Sequence, residues 1–217
     1  MTGDPEVIIV GAGMAGLLAA RMLVDHNPLV VERQPELPNN HHAVMRFRTD
    51  AVSRATSIPF KKVRVVKGVH GSVNPVADAN AYALKVTGKL QPRSILSTEP
   101  VDRFIAPPDF IQRLAAGSRI KYSTVMGRSQ FLRAPFRSDI PPLISTIPLF
   151  TMAQLSGYPE LDSLSTGFGV DASSKGWSLR MKLPEAWQAS VYATVYAPGS
   201  ARSWYRASVM GDEMVVE

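Results

Sequence analysis

The stretch Val7-Ile8-Ile9-Val10-Gly11-Ala12-Gly13-Met14-Ala15-Gly16 decides the fold of this chain. Its first four residues form a β-branched run of the kind expected for a strand buried on both faces. Gly11 then permits a tight turn, Gly13 lets a ligand approach the backbone, and Gly16 allows a helix to pack closely on the strand. We predict this helix over residues 14–25, with its N-terminal N–H groups and positive dipole end directed at a pyrophosphate.

A second strand with an acid at its tip is predicted from Leu29-Val30-Val31-Glu32, after Asn27-Pro28 ends the helix. Glu32 lies 21 residues beyond Gly11, close to the spacing expected for a carboxylate that accepts hydrogen bonds from a ribose 2′-hydroxyl. The strand, glycine turn, helix and acid together favour a dinucleotide site over a purely structural turn. A carboxylate at this position would repel a 2′-phosphate, which argues against NADP and leaves NAD and FAD open.

The composition limits the chemistry that the chain can perform. Its 217 residues are 45% hydrophobic and 19% charged, which is enough for one large domain or two small interleaved ones. The absence of cysteine excludes disulfides, thiolate metal sites and a redox-active cysteine pair, so that redox chemistry would belong to a bound cofactor. A net charge of +6 is compatible with an anionic substrate or with nucleic acid, although no run of five basic residues occurs.

No segment of the sequence has the character of a targeting or membrane-spanning element. The N-terminus is short and acidic, unlike a signal peptide, and glycine or arginine interrupts the apolar stretches. We therefore expect a cytoplasmic protein with no membrane span.

The remainder of the chain is predicted to add strands over residues 60–71, 119–125, 143–149, 176–182, 190–196 and 203–209. Helices are predicted over residues 76–86, from Pro108 onward and over 152–155. A polar loop between Gln34 and Thr49 is expected near the carboxyl edge of the first sheet, where ligands bind. Its adjacent His41 and His42 have diverging side chains and no evident third ligand, so no metal site is predicted.

Two segments carry a resemblance to a known group of flavoproteins. The stretch 7–16 with Glu32-Arg33, together with Leu143-Ile144-Ser145-Thr146-Ile147-Pro148-Leu149, resembles proteins related to UDP-galactopyranose mutase and the amine oxidase/protoporphyrinogen oxidase superfamily. The resemblance implies an α/β fold, with a Rossmann-like FAD/NAD(P)-binding domain and an interleaved mixed α+β substrate domain. The implied limits are residues 1–50 and 119–155 for the FAD-binding domain, and 51–118 and 156–217 for a substrate-binding region with β-sheet. The implied function is an FAD-binding oxidoreductase, or a subunit or fragment of one.

The same resemblance implies FAD as the cofactor and assigns residues to it. Val125 would meet the adenine through its backbone, and His41, His42, Met45 and Arg46 would lie toward the isoalloxazine ring. Lys85, Arg93 and Arg103 are candidates for binding an anionic small-molecule substrate, and no catalytic residue is assigned. The remaining implied cofactor-binding residues are Gly11, Ala12, Gly13, Met14, Ala15, Gly16, Glu32, Arg33 and Thr146.

One departure from the family pattern concerns the end of the flavin site. These families carry a late strand that ends in Gly-Asp and leads into a helix, whereas Gly211-Asp212 lies between two strand-like segments and favours a hairpin turn. The segment that closes the flavin site is therefore expected to be missing or to come from a second chain, unless the protein binds its nucleotide differently. The alternatives are a non-catalytic dinucleotide-binding module, a flavin-dependent sugar-nucleotide mutase-like protein, and a nucleic-acid-modification protein.

Overall fold

The computed structural model of the chain describes residues 3–37, 45–71, 74–87, 90, 98–133, 141–156 and 178–217. Within these residues the chain forms eleven strands and six α-helices. The strands are β1 (Val7–Val10), β2 (Pro28–Val31), β3 (Arg46–Phe47), β4 (Lys61–Val69), β5 (Val101–Ile105), β6 (Arg119–Lys121), β7 (Leu143–Ser145), β8 (Leu179–Lys182), β9 (Ala189–Tyr196), β10 (Arg206–Gly211) and β11 (Glu213–Val216). The helices are α1 (Met14–Met22), α2 (Ala51–Thr56), α3 (Pro75–Thr87), α4 (Phe110–Ala115), α5 (Arg128–Arg133) and α6 (Leu149–Ser156).

The chain divides into two compact units that alternate along the sequence. The first unit comprises Met1–Asn40, Ala51–Pro59 and Pro107–Val170. The second comprises His41–Asp50, Phe60–Ala106 and Asp171–Glu217. The two units are defined by their compactness. The predicted limits of the FAD-binding domain and the substrate-binding region were defined by function, and they stay a prediction.

The first unit is built on a parallel sheet with the strand order β6-β2-β1-β7. The chain builds outward from β1 through β2 to β6 and then returns to the other side of β1 as β7, so the switch in strand order lies between β1 and β7. The apolar runs of β1 and β2 are buried, with Ile9 and Val30 fully inaccessible, as expected for strands covered on both faces. This arrangement confirms the predicted Rossmann-like, doubly wound fold class.

Helices cover the first sheet and complete its core. On one face, Met126, Phe131 and Leu155 pack against Val10 and Val31. Helix α1 packs on β1, β2 and α4, and α4 contributes three buried apolar side chains, Phe110, Ile111 and Leu114. Helix α1 ends at Met22, earlier than predicted, because a 3-10 turn over Val24–His26 follows and Asn27 adopts a left-handed backbone with φ 43°.

The second unit contains a mixed sheet with the strand order β3-β5-β4-β9-β10-β11-β8. The central β4 and β9 run parallel, and every other neighbouring pair is antiparallel. Helix α3 packs on this sheet through Ala79 and Tyr82, whose ring meets Tyr196 edge-on at 5.3 Å between ring centroids. The predicted mixed α+β architecture of the second part of the chain is therefore confirmed.

The predicted Gly211-Asp212 hairpin is confirmed. Met210 pairs with Glu213, and Gly211 adopts the left-handed backbone with φ 60° that glycine accommodates best. The Asp212 carboxylate accepts a hydrogen bond from the Lys182 ammonium at 2.5 Å, which ties the turn to β8. Gly211-Asp212 thus serves the sheet of the second unit.

Several predicted elements have different bounds in the structure. Strand β6 ends at Lys121 and does not reach residue 125, because Ser123 adopts φ 50° and the chain turns. Strand β7 ends at Ser145, ahead of Pro148, whose missing N–H cannot join a sheet. Helix α2 was not predicted. Within the described part of the chain, no helix combines the length and the apolar character needed to span a bilayer.

Candidate functional site

The glycine turn between β1 and α1 has a backbone geometry that requires glycine at its first position. Gly11 adopts φ 102° and donates its N–H to the carbonyl of Val31 at 2.9 Å. A Cβ at this position would lie 3.0 Å from Thr146 Oγ1, so both backbone and neighbours oppose a side chain. Gly11 therefore permits the tight turn after β1, as predicted.

Gly16 is required for a different reason, which is the close approach of α1 to the turn. Gly16 is buried, and a Cβ built on it would lie 1.8 Å from the carbonyl oxygen of Gly11. Real Cβ atoms essentially never approach another atom within 3.0 Å. The predicted role of this glycine in helix–strand packing is thus visible in the structure.

Gly13 has neither of these constraints. Its φ is −71°, and no atom lies within 4 Å of a Cβ built on it. Gly13, Met14 and Ala15 are exposed at the start of α1, whereas Ala12 is fully buried. The first N–H groups of a helix have no acceptor within the helix itself, so this open space is bordered by available donors. Space for a backbone approach, together with helix N-terminal donors, fits a pyrophosphate group.

Glu32 is fastened to the glycine turn by its carboxylate. Its side chain is buried, with Oε2 accepting the Ala12 N–H at 2.7 Å and Oε1 accepting the Gln34 N–H at 2.8 Å. Burial, with the nearby charge of Glu32, raises the pKa of the Tyr122 hydroxyl. Each carboxylate oxygen has a further lone pair, so Glu32 retains the capacity to accept a hydrogen bond from a ribose hydroxyl. Arg33, the next residue, is exposed.

Thr146 connects the end of β7 to the same turn. Its N–H donates to the carbonyl of Val10 at 3.0 Å, and its Oγ1 lies 2.9 Å from that oxygen and 3.2 Å from the Gly11 carbonyl oxygen. These contacts hold the carboxyl ends of β1 and β7 together at the switch in strand order, where ligands bind in such sheets. A direct contact of Thr146 with a cofactor stays a prediction.

Val125 lies beyond the end of β6 rather than in that strand. It is 73% exposed, and its neighbour Thr124 donates its N–H to the main-chain carbonyl of Glu32 at 2.9 Å. The segment that carries Val125 therefore lies beside the tip of β2. The predicted backbone contact of Val125 with adenine is untested by this geometry.

The second unit contains a cavity of about 260 Å³ that brings two predicted residues together. Arg46 and Arg103 both line this cavity. Arg46 donates from Nη1 to Thr194 Oγ1 at 2.6 Å, and its guanidinium carbon lies 5.5 Å from the centre of the Tyr192 ring. Met45 accepts a backbone hydrogen bond from Ala106 at 3.1 Å.

Three further cations line this cavity and were not predicted as site residues: Arg48, Lys67 and Arg206. Lys67 had a signal in the sequence. It occupies an inward position of a strand whose other inward residues include Val63 and Val65, and its own side chain is only 9% exposed. A charged residue in the buried register of an apolar strand marks a functional candidate.

The other predicted substrate ligands have different positions. The Lys85 ammonium donates to the carbonyls of Ala197, Gly199 and Trp204 at 3.0, 2.8 and 2.7 Å, and burial lowers its pKa. These three carbonyls match the three donors of the ammonium group, which indicates a structural role for Lys85 rather than the predicted role in substrate binding. Arg93, His41 and His42 lie outside the described residues.

Comparison with known proteins identifies the fold. No protein-family model matches the chain, and no curated protein matches it in sequence. The PF1083 protein from Pyrococcus furiosus has a TM-score of 0.54 at 10% identity, over 97% of this chain and 78% of that protein. An oxidoreductase from Methanosarcina mazei has a TM-score of 0.51 at 11% identity, also over 97% of this chain and 78% of that protein.

A further structure, CtdE in complex with FAD, has a TM-score of 0.48 at 13% identity. The match covers 97% of this chain and 57% of that protein. The chain thus spans little more than half of that protein. At these identities the likeness shows the fold alone, which is the predicted fold class. The finer resemblance to the UDP-galactopyranose mutase group stays a prediction.

Proposed function

We propose that this protein binds FAD and is an FAD-dependent oxidoreductase, or a subunit or fragment of one, with the ADP part of FAD at the glycine turn. The observation that carries the proposal is the contrast among the three glycines. The fold itself requires Gly11, through its positive φ, and Gly16, through its approach to a carbonyl. The described structure contains no such requirement at Gly13, whereas a pyrophosphate against the turn supplies one.

The residues of the first unit have distinct roles in this proposal. The N-terminus of α1 orients the pyrophosphate through its free N–H groups and dipole. Glu32 is held in place by two backbone N–H groups and accepts a hydrogen bond from a ribose hydroxyl. When bound, FAD supplies electron transfer, which the cysteine-free side chains of this protein do not provide. Following the family resemblance, His42, Met45 and Arg46 are proposed to lie toward the isoalloxazine ring.

The segment that would close the flavin site is not the Gly211-Asp212 turn. Since Gly211-Asp212 is a hairpin of the second sheet, we propose that a different segment, in further sequence or in a partner chain, closes the flavin site. The substrate is proposed to be an anionic small molecule. We propose no role in nucleic-acid modification.

The test compares two glycine-to-alanine variants that differ only in location. Purified protein is mixed with FAD, separated from free FAD and examined for the flavin absorption band at about 450 nm. Gly13→Ala is expected to weaken FAD binding about tenfold or more, because the new methyl group occupies the space of the pyrophosphate. Gly199→Ala is the matched control, since its Cβ also meets nothing within 4 Å but lies in the second unit.

The expected result is retention of FAD by the wild-type protein and by Gly199→Ala, with loss in Gly13→Ala. A wild-type protein that refuses added FAD would overturn the proposal for this chain. Equal FAD affinity in the wild type and Gly13→Ala would show that the glycine turn does not hold the pyrophosphate.

A further inference from the structure

The cavity of the second unit has an unusual charge. Of the described residues that line it, five are cationic and none is acidic. Ligand cavities are usually lined mainly by apolar side chains, with a few polar groups that orient the ligand. The cationic lining residues are Arg46, Arg48, Lys67, Arg103 and Arg206.

The register of the sheet explains why these cations meet. In β5, Arg103 pairs with Val63 of β4, which lies on the same face of β4 as Lys67. Lys67 pairs with Thr194 of β9, and Arg206 of β10 pairs with the residue two further along β9 on that same face. Because paired residues of neighbouring strands share a face, three cations from three strands project from one side of the sheet. Arg46 joins them from the edge strand β3.

The cations on the opposite face of the sheet are paired with an acid. Lys62 and Arg64 of β4 form ion pairs with Asp102 of β5 at 3.0 and 3.1 Å. The hydrogen bonds from both cations lower the pKa of the Asp102 carboxyl. One face of the sheet thus carries two cations around one acid, whereas the other face meets the five cations that line the cavity.

Protein contacts hold two of the cavity arginines in place. The guanidinium of Arg206 donates from Nε and Nη2 to the buried Glu217 carboxylate, at 2.5 Å each. Burial alone would lower the pKa of Arg206, but the hydrogen bond and charge of Glu217 raise it. Arg46 is held by Thr194 and by the ring of Tyr192. These contacts orient the side chains before any ligand arrives, which reduces the entropic cost of binding.

Arg103 experiences the repulsion of its neighbours. Burial and, more weakly, the positive charges of Arg46 and Arg48 lower the pKa of its guanidinium. Its Nη1 donates to the backbone carbonyl of Asp102 at 2.8 Å. Like charges gathered in a partly buried cavity destabilise one another unless an anion joins them.

We propose that this cavity binds the phosphate group of a phosphorylated small-molecule substrate. Calling the ligand a substrate rests on the proposed function, whereas anion binding by the cavity does not depend on it. A carboxylate has two oxygens, which one guanidinium can satisfy in a bidentate pair. A phosphate group has three free oxygens and a charge of about −1.5 to −2 near neutral pH, which matches several guanidinium groups from different directions.

The cavity volume agrees with this ligand class. At about 260 Å³ it is slightly smaller than the pockets of about 300 Å³ and above that enclose drug-sized ligands. Val65, Val101 and Tyr196 provide an apolar and aromatic part of the lining beside the cations. We therefore expect the phosphate and the adjoining part of the substrate to fill the cavity.

The experiment is a phosphorus NMR titration with inorganic phosphate at low ionic strength, on protein supplied with excess FAD so that the glycine turn is occupied. Arg103→Gln and Arg48→Gln each remove one cavity charge. Arg64→Gln removes the same charge from the opposite face of the sheet and is the matched control. Malonate, a dicarboxylate of similar charge and size, is added as a competitor.

The wild type is expected to broaden the phosphate signal saturably. Each cavity variant is expected to weaken binding about tenfold or more, the loss typical of one hydrogen bond to a charged group, while Arg64→Gln stays within about twofold. Malonate is expected to displace phosphate only at about tenfold higher concentration. If circular dichroism shows that Arg103→Gln does not fold, the result for Arg48→Gln decides the outcome, because the Arg48 side chain is exposed.

Three results would each overturn the proposal: no saturable phosphate binding, an equal loss in Arg64→Gln and the cavity variants, or displacement by malonate at equal concentration. Failure of the proposed function has a different signature. In that case FAD does not bind, while the dependence of phosphate binding on Arg103 and Arg48 still decides the cavity.

Discussion

Replacement of Gly16 by alanine tests how closely α1 packs on the glycine turn. The added Cβ would lie 1.8 Å from the carbonyl oxygen of Gly11 and 2.9 Å from Thr146 Oγ1. Because real Cβ atoms essentially never approach within 3.0 Å, the helix and the turn must separate by about 1.2 Å. The first obstacle is backbone, which cannot rotate away as a flexible side chain can.

The expected loss of stability is the difference between two effects. Overpacking of a well-packed interior costs about 1–3 kcal/mol, and a backbone obstacle puts Gly16→Ala near the upper end. Alanine regains about 1 kcal/mol over glycine within a helix. The net loss is about 2 kcal/mol, which corresponds to a fall in Tm of about 4–8 °C for a chain of this size.

The measurement is thermal unfolding followed by circular dichroism, without added FAD. Gly13→Ala is the control, because it makes the same substitution three residues earlier where nothing lies within 4 Å of the new Cβ. The weaker N-cap preference of alanine and the reduced entropy of its unfolded chain nearly cancel there, so the expected change is within about 0.5 kcal/mol. Gly13→Ala is thus expected to lower the affinity for FAD, and Gly16→Ala is expected to lower the stability of the fold.

A Tm for Gly16→Ala within about 1 °C of the wild type would refute the packing argument. Equal destabilisation in the two variants would show that the turn responds to any alanine, and that the contact with the Gly11 carbonyl is not the cause.

Three further variants test individual contacts, each by urea denaturation. Glu32→Gln is expected to lower the free energy of unfolding by about 1–2 kcal/mol, because an amide keeps only one of the two oxygens that accept backbone N–H groups; an unchanged midpoint would contradict this. Lys85→Met is expected to cost about 1–3 kcal/mol, since three carbonyls lose a charged donor; a neutral effect would mean that water replaces the ammonium. Gly211→Ala is expected to cost about 1 kcal/mol through its positive φ while leaving FAD affinity unchanged; weakened FAD binding would restore Gly211-Asp212 as a flavin contact.

The first unit could be predicted in detail because its signals are local. The strand Val7–Val10, the glycine turn, the start of α1 and the second strand occupy one continuous stretch, and each depends on residue types within a few positions. The bounds were less accurate where tertiary contacts intervene. Strand β6 ends early at the turn where the Thr124 N–H donates to the carbonyl of Glu32, a contact between segments far apart in the sequence.

The cavity of the second unit could be predicted only in part. Arg46 and Arg103 were selected from the family resemblance, without any indication that they share a cavity. Arg48 was noted in the polar loop near the ligand-binding edge but was not assigned to a site. Arg206 was not selected, because it is an unremarkable surface-type residue in its own segment. Lys85 was selected as a substrate ligand, and only the carbonyls around its ammonium show that it is structural.

The sequence by itself determined the glycine turn and its partner Glu32, because backbone conformation and close packing restrict which residues a short segment can contain. The tertiary structure added the distances that distinguish Gly13, which faces open space, from Gly16, which faces a carbonyl. It alone also gathered the cavity cations, since strand register joins residues that are distant along the chain and a one-residue shift would move a side chain to the opposite face. Local chemistry therefore specified the proposed cofactor site, and sheet topology specified the proposed substrate site.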